Sequence, residues 1–191
     1  MRRVFSEINR FNTMVKVELA LLRGLSRAGV IPEDVIKCLD GDLEFTEDDV
    51  RRIRQVESKV KHEVAALVKV LSDKLGDAGK YVHLGATSND IIDTTWSLLL
   101  REALEIVESK LTKLILAILG VADRHIDTLM VGRTHGQHAL PLTLGFKFMN
   151  YAYELAQCLE RLMESHKRLF VLKMTGCLLY TSDAADDGES V

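Results

Sequence analysis

Apolar side chains recur every three or four residues over much of the chain, the spacing that places them on one face of a helix. The first stripe predicts a helix near the start and consists of Val4, Ile8, Phe11, Val15, Leu22 and Leu25. Gly29 and Pro32 follow this stripe and indicate where the helix ends. The second stripe predicts one continuous helix that stops at Gly76, and it consists of Val56, Val60, Val64, Leu67, Leu71 and Leu75.

Two longer helices are predicted in the second half of the chain. Between Ile91 and Ala122 apolar residues occupy several helix faces, which is typical of the centre of a bundle. A continuous helix there would be ~45 Å long at a rise of about 1.5 Å per residue. The last helix is expected to begin near Pro141, since proline is favoured in a first helical turn. No segment gives a convincing strand pattern, so the predicted fold class is all-α.

The composition narrows the class of protein. With 47% hydrophobic and 28% charged residues and a net charge of -3, the chain resembles an ordinary soluble globular protein. No apolar run reaches the roughly 18 to 20 residues of a membrane span, and the start lacks the apolar region of a signal peptide. The three cysteines fit no disulfide pattern, which favours the cytoplasm. Acidic residues interleave with the basic cluster "RRIRQVESKVK", so no nucleic-acid binding is expected.

The segment "HLGATSND", residues 83 to 90, directly precedes the longest predicted helix. Thr87 and Ser88 are favourable N-cap residues, and Asp90 in the first turn complements the helix dipole. The unpaired amides at such a helix start also bind carboxylate or phosphate groups. Simple capping and anion binding therefore both remain open for this segment.

The segment "GRTHGQH", residues 132 to 138, concentrates hydrogen-bonding side chains around two glycines. Because Gly132 and Gly136 permit unusual backbone angles, four side chains are expected to face one cavity. They are Arg133, Thr134, His135 and Gln137. Arg133 suits a carboxylate, a phosphate or a buried ion pair. A zinc site at His135 and His138 is disfavoured because no further ligands complete it, and no nucleotide-binding motif occurs, so neither metal nor cofactor is predicted.

Four segments resemble, in the same order, the fumarase/aspartase superfamily of lyases, and within it the adenylosuccinate lyase family. They are "INRFNTMVKVELALLRGLSRAGVIP", "KHEVAALVKVLSDKLG", "YVHLGATSNDIIDT" and "GRTHGQHALPLTLGFK". The resemblance implies a β-elimination that cuts a carbon–nitrogen bond and releases fumarate. The implied substrates are adenylosuccinate, which would give AMP, and the succinyl imidazole-carboxamide ribotide of purine biosynthesis. It also implies a homotetramer whose sites combine three subunits, and a fold in which an N-terminal helical domain precedes a central helical bundle.

The resemblance also implies roles for individual residues. His135 matches the general acid that protonates the departing nitrogen, and imidazole suits this role near neutral pH. His62 matches the second catalytic histidine, although its position opposite the second stripe predicts a solvent-facing side chain unless another chain covers it. Thr87 and Ser88 would meet the charge of the aci-carboxylate dianion. The other implied substrate-binding residues are His83, Asn89, Arg133, Thr134 and Gln137.

Three regions are expected along the chain. Residues 1–87 form the N-terminal helical domain, and 88–176 form the first, incomplete part of the central bundle. Residues 177–191 have no helical period and resemble the in-frame translation of a sequencing-library adapter, so we interpret them as a non-native tail; a natural acidic tail is the alternative. The superfamily's loop with the serine base has no counterpart in the 191 residues, so this N-terminal fragment is expected to be inactive alone.

Two other functions remain open. One is another lyase of the superfamily, of the argininosuccinate lyase or cycloisomerase type, because substrate choice depends partly on residues that this chain lacks. The other is a non-catalytic helical interaction module. Such a module would show the same apolar stripes without the two histidine-bearing segments.

Overall fold

A computed structural model describes residues 1–37 and 43–176 of the chain, so the predicted tail at 177–191 lies outside the described residues. The backbone divides into two compact units. Among the described residues, the first contains those up to Leu100 together with 170–176, and the second is Arg101–Leu169. This division falls within the longest helix, whereas the predicted domain boundary after residue 87 lies at that helix's start.

The first unit is a set of helices around an apolar core. Its elements are α1 (Glu7–Arg27), α2 (Glu33–Lys37), α3 (Glu47–Val60), α4 (Glu63–Leu75), a 3₁₀ turn (Gly76–Tyr81) and the first part of α5 (Ser88–Arg124). The fully buried core side chains include Phe11, Met14, Leu22, Ile53, Leu67, Leu71 and Ile91. The first predicted stripe is confirmed, and Val4 is buried although it precedes α1.

The second stripe was predicted to lie on one helix, and this prediction is wrong. The chain breaks between α3 and α4, where Lys61 has a left-handed φ of 56° and closes α3 by donating its N–H to the Glu57 carbonyl oxygen at 2.7 Å. Val60, at the end of α3, is exposed, whereas Val64 is buried. The sequence pattern did not predict this break, because the apolar spacing continues from Val60 to Val64 and neither glycine nor proline lies between them.

Helix α5 is continuous over 37 residues, which confirms the predicted long helix. At about 1.5 Å per residue it extends ~55 Å. The segment after α6 returns to the beginning of α5. There the Thr94 hydroxyl donates to the Lys173 carbonyl oxygen at 3.1 Å, and the Lys173 ammonium lies 2.9 Å from the Asp93 carboxylate.

The second unit contains an antiparallel hairpin that the sequence did not predict. Strand β1 (Leu129–Thr134) pairs with β2 (Gln137–Thr143), and α6 (Leu144–Leu169) follows directly. The last helix begins at Leu144, near Pro141 as predicted, but Pro141 itself lies in β2 opposite Val131 and not in a first helical turn. The fixed φ of proline suits a strand of a two-stranded sheet as well as a first helical turn. The fold is otherwise helical, as the all-α class predicts.

Close packing joins α6 to the end of α5 within the second unit. A Cβ atom on Gly145 would lie 2.6 Å from the Ala122 carbonyl oxygen, so only glycine fits there. Farther along, His166 is hydrogen-bonded to Glu108. Large apolar side chains of this unit remain exposed, and they include Leu116, Ile126, Leu129, Leu140, Phe146, Met149, Tyr153 and Met163.

Two glycine-to-alanine substitutions should change the free energy of unfolding in opposite directions. A Cβ on Gly79 would overlap the Ser72 carbonyl oxygen, so Gly79→Ala should destabilise the chain by about 1–3 kcal/mol. Gly24 lies within α1 with nothing within 4 Å of the added carbon, so Gly24→Ala should stabilise it by about 0.5–1 kcal/mol. Urea unfolding at one protein concentration measures both, and equal effects would contradict the packing at Gly79.

Candidate active site

The chain turns sharply between His83 and Asp90, just before and within the first turn of α5. His83 and Gly85 have left-handed conformations with φ values of 64° and 74°. The Ala86 N–H donates to the His83 carbonyl oxygen at 3.3 Å. A left-handed backbone costs a residue other than glycine about 1–2 kcal/mol, so further contacts must hold His83 in place.

The contacts of His83 come from Glu18, a fully buried residue of α1. Glu18 Oε2 accepts the backbone N–H of His83 at 3.1 Å, and Glu18 Oε1 lies 2.6 Å from His83 Nδ1. A buried carboxylate is costly unless hydrogen-bonded, and His83 supplies both of these bonds. The sequence pattern did not single out Glu18, although a lone acid in the apolar run "VELALL" could have indicated it.

The beginning of α5 carries three predicted substrate-binding residues. Thr87 precedes the helix, Ser88 is its first residue, and Asn89 is exposed at the next position. The Thr87 N–H donates to Asp90 Oδ2 at 3.0 Å, and the Asp90 N–H donates back to the Thr87 carbonyl oxygen at 3.0 Å. Part of the capping predicted here therefore comes from the Asp90 carboxylate.

Asp90 is fully buried and also binds the segment after α6. Its Oδ1 accepts from the Thr175 N–H at 2.9 Å and from the Thr175 hydroxyl at 3.1 Å, while Oδ2 accepts the Gly176 N–H at 3.0 Å. Burial alone would raise the pKa of Asp90. The hydrogen bonds from Thr87, Thr175 and Gly176 outweigh that effect and hold the pKa below its usual value.

His62 occupies the N-cap of α4, not the middle of a helix as the sequence predicted. Its Nδ1 accepts the Ala65 N–H at 3.2 Å, and its Nε2 lies 3.3 Å from the Ser88 hydroxyl oxygen. The side chain is exposed, as predicted, but it is fixed by these two contacts and lies beside the start of α5. Histidine is not among the preferred N-cap residues, which is why this role was missed.

An ion-pair cluster anchors the chain directly after His62. Glu63 makes a bidentate pair with Arg10 at 2.7 and 2.5 Å, and Arg54 adds a third contact at 3.2 Å. The guanidinium of Arg10 lies 4.9 Å from the centre of the Phe11 ring. The hydrogen bonds from Arg10 lower the pKa of Glu63 more than its partial burial raises it. The junction that carries His62 is thus held to α1 and α3.

His135 stands at the tip of the β1–β2 hairpin. His135 and Gly136 form the two-residue turn, with φ values of 51° and 74°, as a type I′ turn requires. Gly136 uses the unusual backbone angle that was predicted for it. Gly132 has no such angle. Glycine is required there because a Cβ atom would lie 2.6 Å from the Leu140 carbonyl oxygen of the opposite strand.

The other predicted residues of the hairpin pair across its two strands. Arg133 lies opposite His138, and Thr134 lies opposite Gln137. Because successive residues of a strand point to opposite faces, Arg133 and Thr134 project to different sides of the hairpin. All four are exposed, so the hairpin by itself does not direct the predicted set into one cavity.

The structure therefore brings the predicted residues together in two sets, each within one unit. The first unit holds His62, His83, Thr87, Ser88 and Asn89, and the second holds Arg133, Thr134, His135 and Gln137. Within residues 1–37 and 43–176, no group of three or more histidine, cysteine, aspartate or glutamate side chains is placed to hold a metal ion. No helix in this described part of the chain is long and apolar enough to cross a membrane.

Replacing Asp90 should change stability and its dependence on pH. The folded-state pKa of Asp90 lies below its unfolded value of about 3.9. The contribution of ionised Asp90 to the free energy of unfolding is therefore fully present above about pH 4. That contribution is lost as the pH falls through the lower, folded-state pKa. Asp90→Asn should lower the free energy of unfolding at pH 7 by about 1–3 kcal/mol and weaken the loss of stability at acid pH.

Urea unfolding between pH 7 and pH 2 measures both effects. The exposed Asp127 provides the matched control, and Asp127→Asn should change stability by less than about 0.5 kcal/mol. An Asp90→Asn chain with wild-type stability and an unchanged acid transition would contradict the hydrogen-bond network described here.

Comparison with known proteins identifies relatives of the whole chain. A family model described as "Lyase" matches residues 1–189. An adenylosuccinate lyase of Pyrococcus horikoshii is 42% identical over 99% of this chain and 41% of its own length. A fumarate lyase structure from a Mesorhizobium species matches with a TM-score of 0.86 and 35% identity, over 92% of this chain and 42% of that one.

A second solved structure is a 3-carboxy-cis,cis-muconate lactonizing enzyme from Pseudomonas putida. It matches with a TM-score of 0.82 and 34% identity, over 92% of this chain and 41% of that one. The chain thus spans about two-fifths of the length of the relatives it matches. Because the family model covers nearly all 191 residues, the chain belongs to this lyase family, which confirms its resemblance to the fumarase/aspartase superfamily.

Proposed function

We propose that the complete protein is a carbon–nitrogen lyase that eliminates fumarate from adenylosuccinate, giving AMP, and from the succinyl imidazole-carboxamide ribotide. The observation that carries this proposal is the 42% identity to an adenylosuccinate lyase over 99% of the chain. The geometry of the first unit supports it, because His62 lies 3.3 Å from the Ser88 hydroxyl at the start of a 37-residue helix.

The beginning of α5 is suited to stabilise the negative charge that develops on the substrate carboxylate. Removing a proton from the carbon beside a carboxylate spreads negative charge onto the carboxylate oxygens. The unpaired amides and partial positive charge of a helix start meet such charge, and Thr87, Ser88 and Asn89 add side-chain donors there. We assign these three residues and His83 to substrate binding, and we assign His62 as the second catalytic histidine, which contacts and orients the substrate.

The hairpin is suited to protonate the nitrogen that departs in this reaction. As the carbon–nitrogen bond breaks, its electron pair goes to the nitrogen, which takes a proton. We assign that proton to His135, whose imidazole projects from a turn held by the two strands on either side. Arg133, Thr134 and Gln137 would bind substrate beside it, and the proton from carbon would go to a base outside this chain.

The exposed side chains at the hairpin imply that further protein completes the site. We propose that the complete protein is a homotetramer whose subunits cover the apolar surface of the second unit, and that residues 1–87 and 88–176 belong to separate domains. Leu129 and Leu140 are 78% and 83% exposed, and neighbouring leucines as exposed as these are unusual on the surface of a complete protein assembly. The 191-residue chain is proposed to be inactive because it holds only part of each site.

A second candidate is a related reaction on a different carboxylic acid. The similarity to a muconate lactonizing enzyme supports it, since that structure matches nearly as well as the fumarate lyase. An anion-binding helix start would serve either substrate. Release of fumarate from adenylosuccinate by the complete protein would decide between them.

Removing the imidazole at position 135 should abolish turnover without disturbing the hairpin. Asparagine tolerates the left-handed conformation, and Asn-Gly is a favourable type I′ pair, so His135→Asn preserves the turn better than alanine would. In the complete protein His135→Asn should lower kcat for fumarate release by about 10²–10⁴-fold, with unchanged circular dichroism.

The matched control for this experiment is His138→Asn, three positions along the same hairpin and also exposed. Its kcat should stay near that of the wild type. Equal activity of His135→Asn and wild type would remove His135 as the proton donor. No fumarate from the wild-type complete protein would remove the proposed function, and fumarate from the 191-residue chain alone would refute its inactivity.

The 191-residue chain should self-associate through the apolar surface of its second unit. Light scattering should give a mass above that of a monomer. Leu116→Glu, at a position 62% exposed, should lower this mass, because a charge opposes apolar burial. Lys110→Glu, an exposed change on the same helix, should not. A wild-type chain that stays monomeric and melts cooperatively would contradict this expectation.

A further inference from the structure

The two histidines of the first unit use their Nδ1 atoms in opposite ways. His62 Nδ1 accepts the backbone N–H of Ala65 at 3.2 Å, so it carries no proton there. His83 Nδ1 lies 2.6 Å from Glu18 Oε1, and because an ionised carboxylate only accepts hydrogen bonds, a contact with the ionised form of Glu18 requires the proton to lie on this nitrogen. In a neutral imidazole one nitrogen is protonated and the other is bare, so each contact determines the state of Nε2 as well.

Glu18 constrains His83 through two bonds at once. One oxygen accepts the ring Nδ1–H and the other accepts the backbone N–H of the same residue at 3.1 Å. Glu18 is fully buried, so it cannot exchange these donors for bulk water. Rotating the His83 ring would leave one carboxylate oxygen without its donor, in a residue whose backbone is already left-handed at a φ of 64°.

We propose that the fold fixes the neutral forms of His62 and His83 as opposite tautomers, and that Glu18 is the positioning residue that fixes His83. At Nε2, His62 then presents an N–H, which has the Ser88 hydroxyl oxygen 3.3 Å away beside the substrate position, and His83 presents an unshared electron pair. This inference rests on the proposed function insofar as both rings face the substrate. His62 is matched to a substrate oxygen such as a carboxylate, and neutral His83 is matched to a substrate hydroxyl or N–H.

The tautomers are measurable by ¹⁵N NMR of the chain labelled at histidine, in solution or by magic-angle spinning if the chain associates. The spectra are recorded at about pH 9, and a tautomer is assigned to each ring whose two nitrogens give one protonated and one bare signal. His62→Asn and His83→Asn identify the two sets of signals. We expect a protonated Nδ1 and bare Nε2 at His83, and the reverse at His62. Free histidine favours the Nε2–H form, so an Nε2–H signal at wild-type His83 would overturn the proposal.

Glu18→Gln tests the positioning role directly. The backbone N–H of His83 still needs an acceptor, so the amide oxygen turns to it and the amide NH₂ faces Nδ1. The amide then donates to Nδ1, and the ring proton moves to Nε2. We expect the His83 tautomer to reverse while His62 stays unchanged. Glu44→Gln, an exposed change in the same unit, should alter neither ring.

An unchanged His83 tautomer in folded Glu18→Gln would refute the role of Glu18. If circular dichroism showed that this variant does not fold, the wild-type spectrum would still decide the tautomer of His83. In the complete protein, Glu18→Gln should lower kcat/KM on the order of 100-fold through a misplaced ring. Absence of activity in the wild type would remove the proposed function and leave the NMR result standing.

Discussion

Two buried carboxylates determine the conformation of the chain between His83 and Asp90. Glu18 holds the backbone and ring of His83, and Asp90 gathers donors from Thr87 at the start of α5 and from the segment after α6. Each carboxylate would be costly in the interior without these bonds. The need to satisfy them therefore selects one conformation of a segment that contains several small residues and would otherwise have many.

The same constraint links parts of the chain that are distant in sequence. Thr175 and Gly176 reach α5 only after the chain has passed through α5, the hairpin and α6, and Asp90 binds them there. His62 comes to Ser88 from the junction of α3 and α4, where the pair of Arg10 and Glu63 holds the following turn. The start of α5 is thus contacted by the segment after α6 and by the α3–α4 junction, so three chain segments meet there, and this is where we assign the carboxylate of the substrate.

The second unit buries fewer of its large apolar side chains than the first unit does. Its hairpin and helices expose large apolar side chains, whereas the first unit has a closed apolar core. The proposed general acid belongs to this open unit, at a turn that only a few residue types adopt without strain. A histidine in such a position is explained by chemistry better than by stability, because asparagine or glycine would suit the turn more.

The sequence by itself predicted the longer helices and the segments to which we assign the chemistry. Apolar spacing predicted α1 and α5, because a helix with a buried face has apolar residues every three or four positions in its sequence. Motif resemblance identified the family, which the comparisons confirm, and it predicted the roles that we assign to His62, His83 and His135. Apolar spacing failed at Lys61, where a left-handed residue interrupts a pattern that looks helical, and the preference of proline for a first helical turn failed at Pro141, which lies in a strand.

Only the tertiary structure decided how those residues are held. Glu18 looks like any acid in an amphipathic helix until its partner, 65 positions away in the chain, is seen beside it. The cap at His62, the four bonds to Asp90 and the hairpin turn at His135 likewise depend on contacts or angles that leave no periodic signal. Local patterns report which face of an element is buried, but hydrogen bonds between distant segments arise only when the chain has folded.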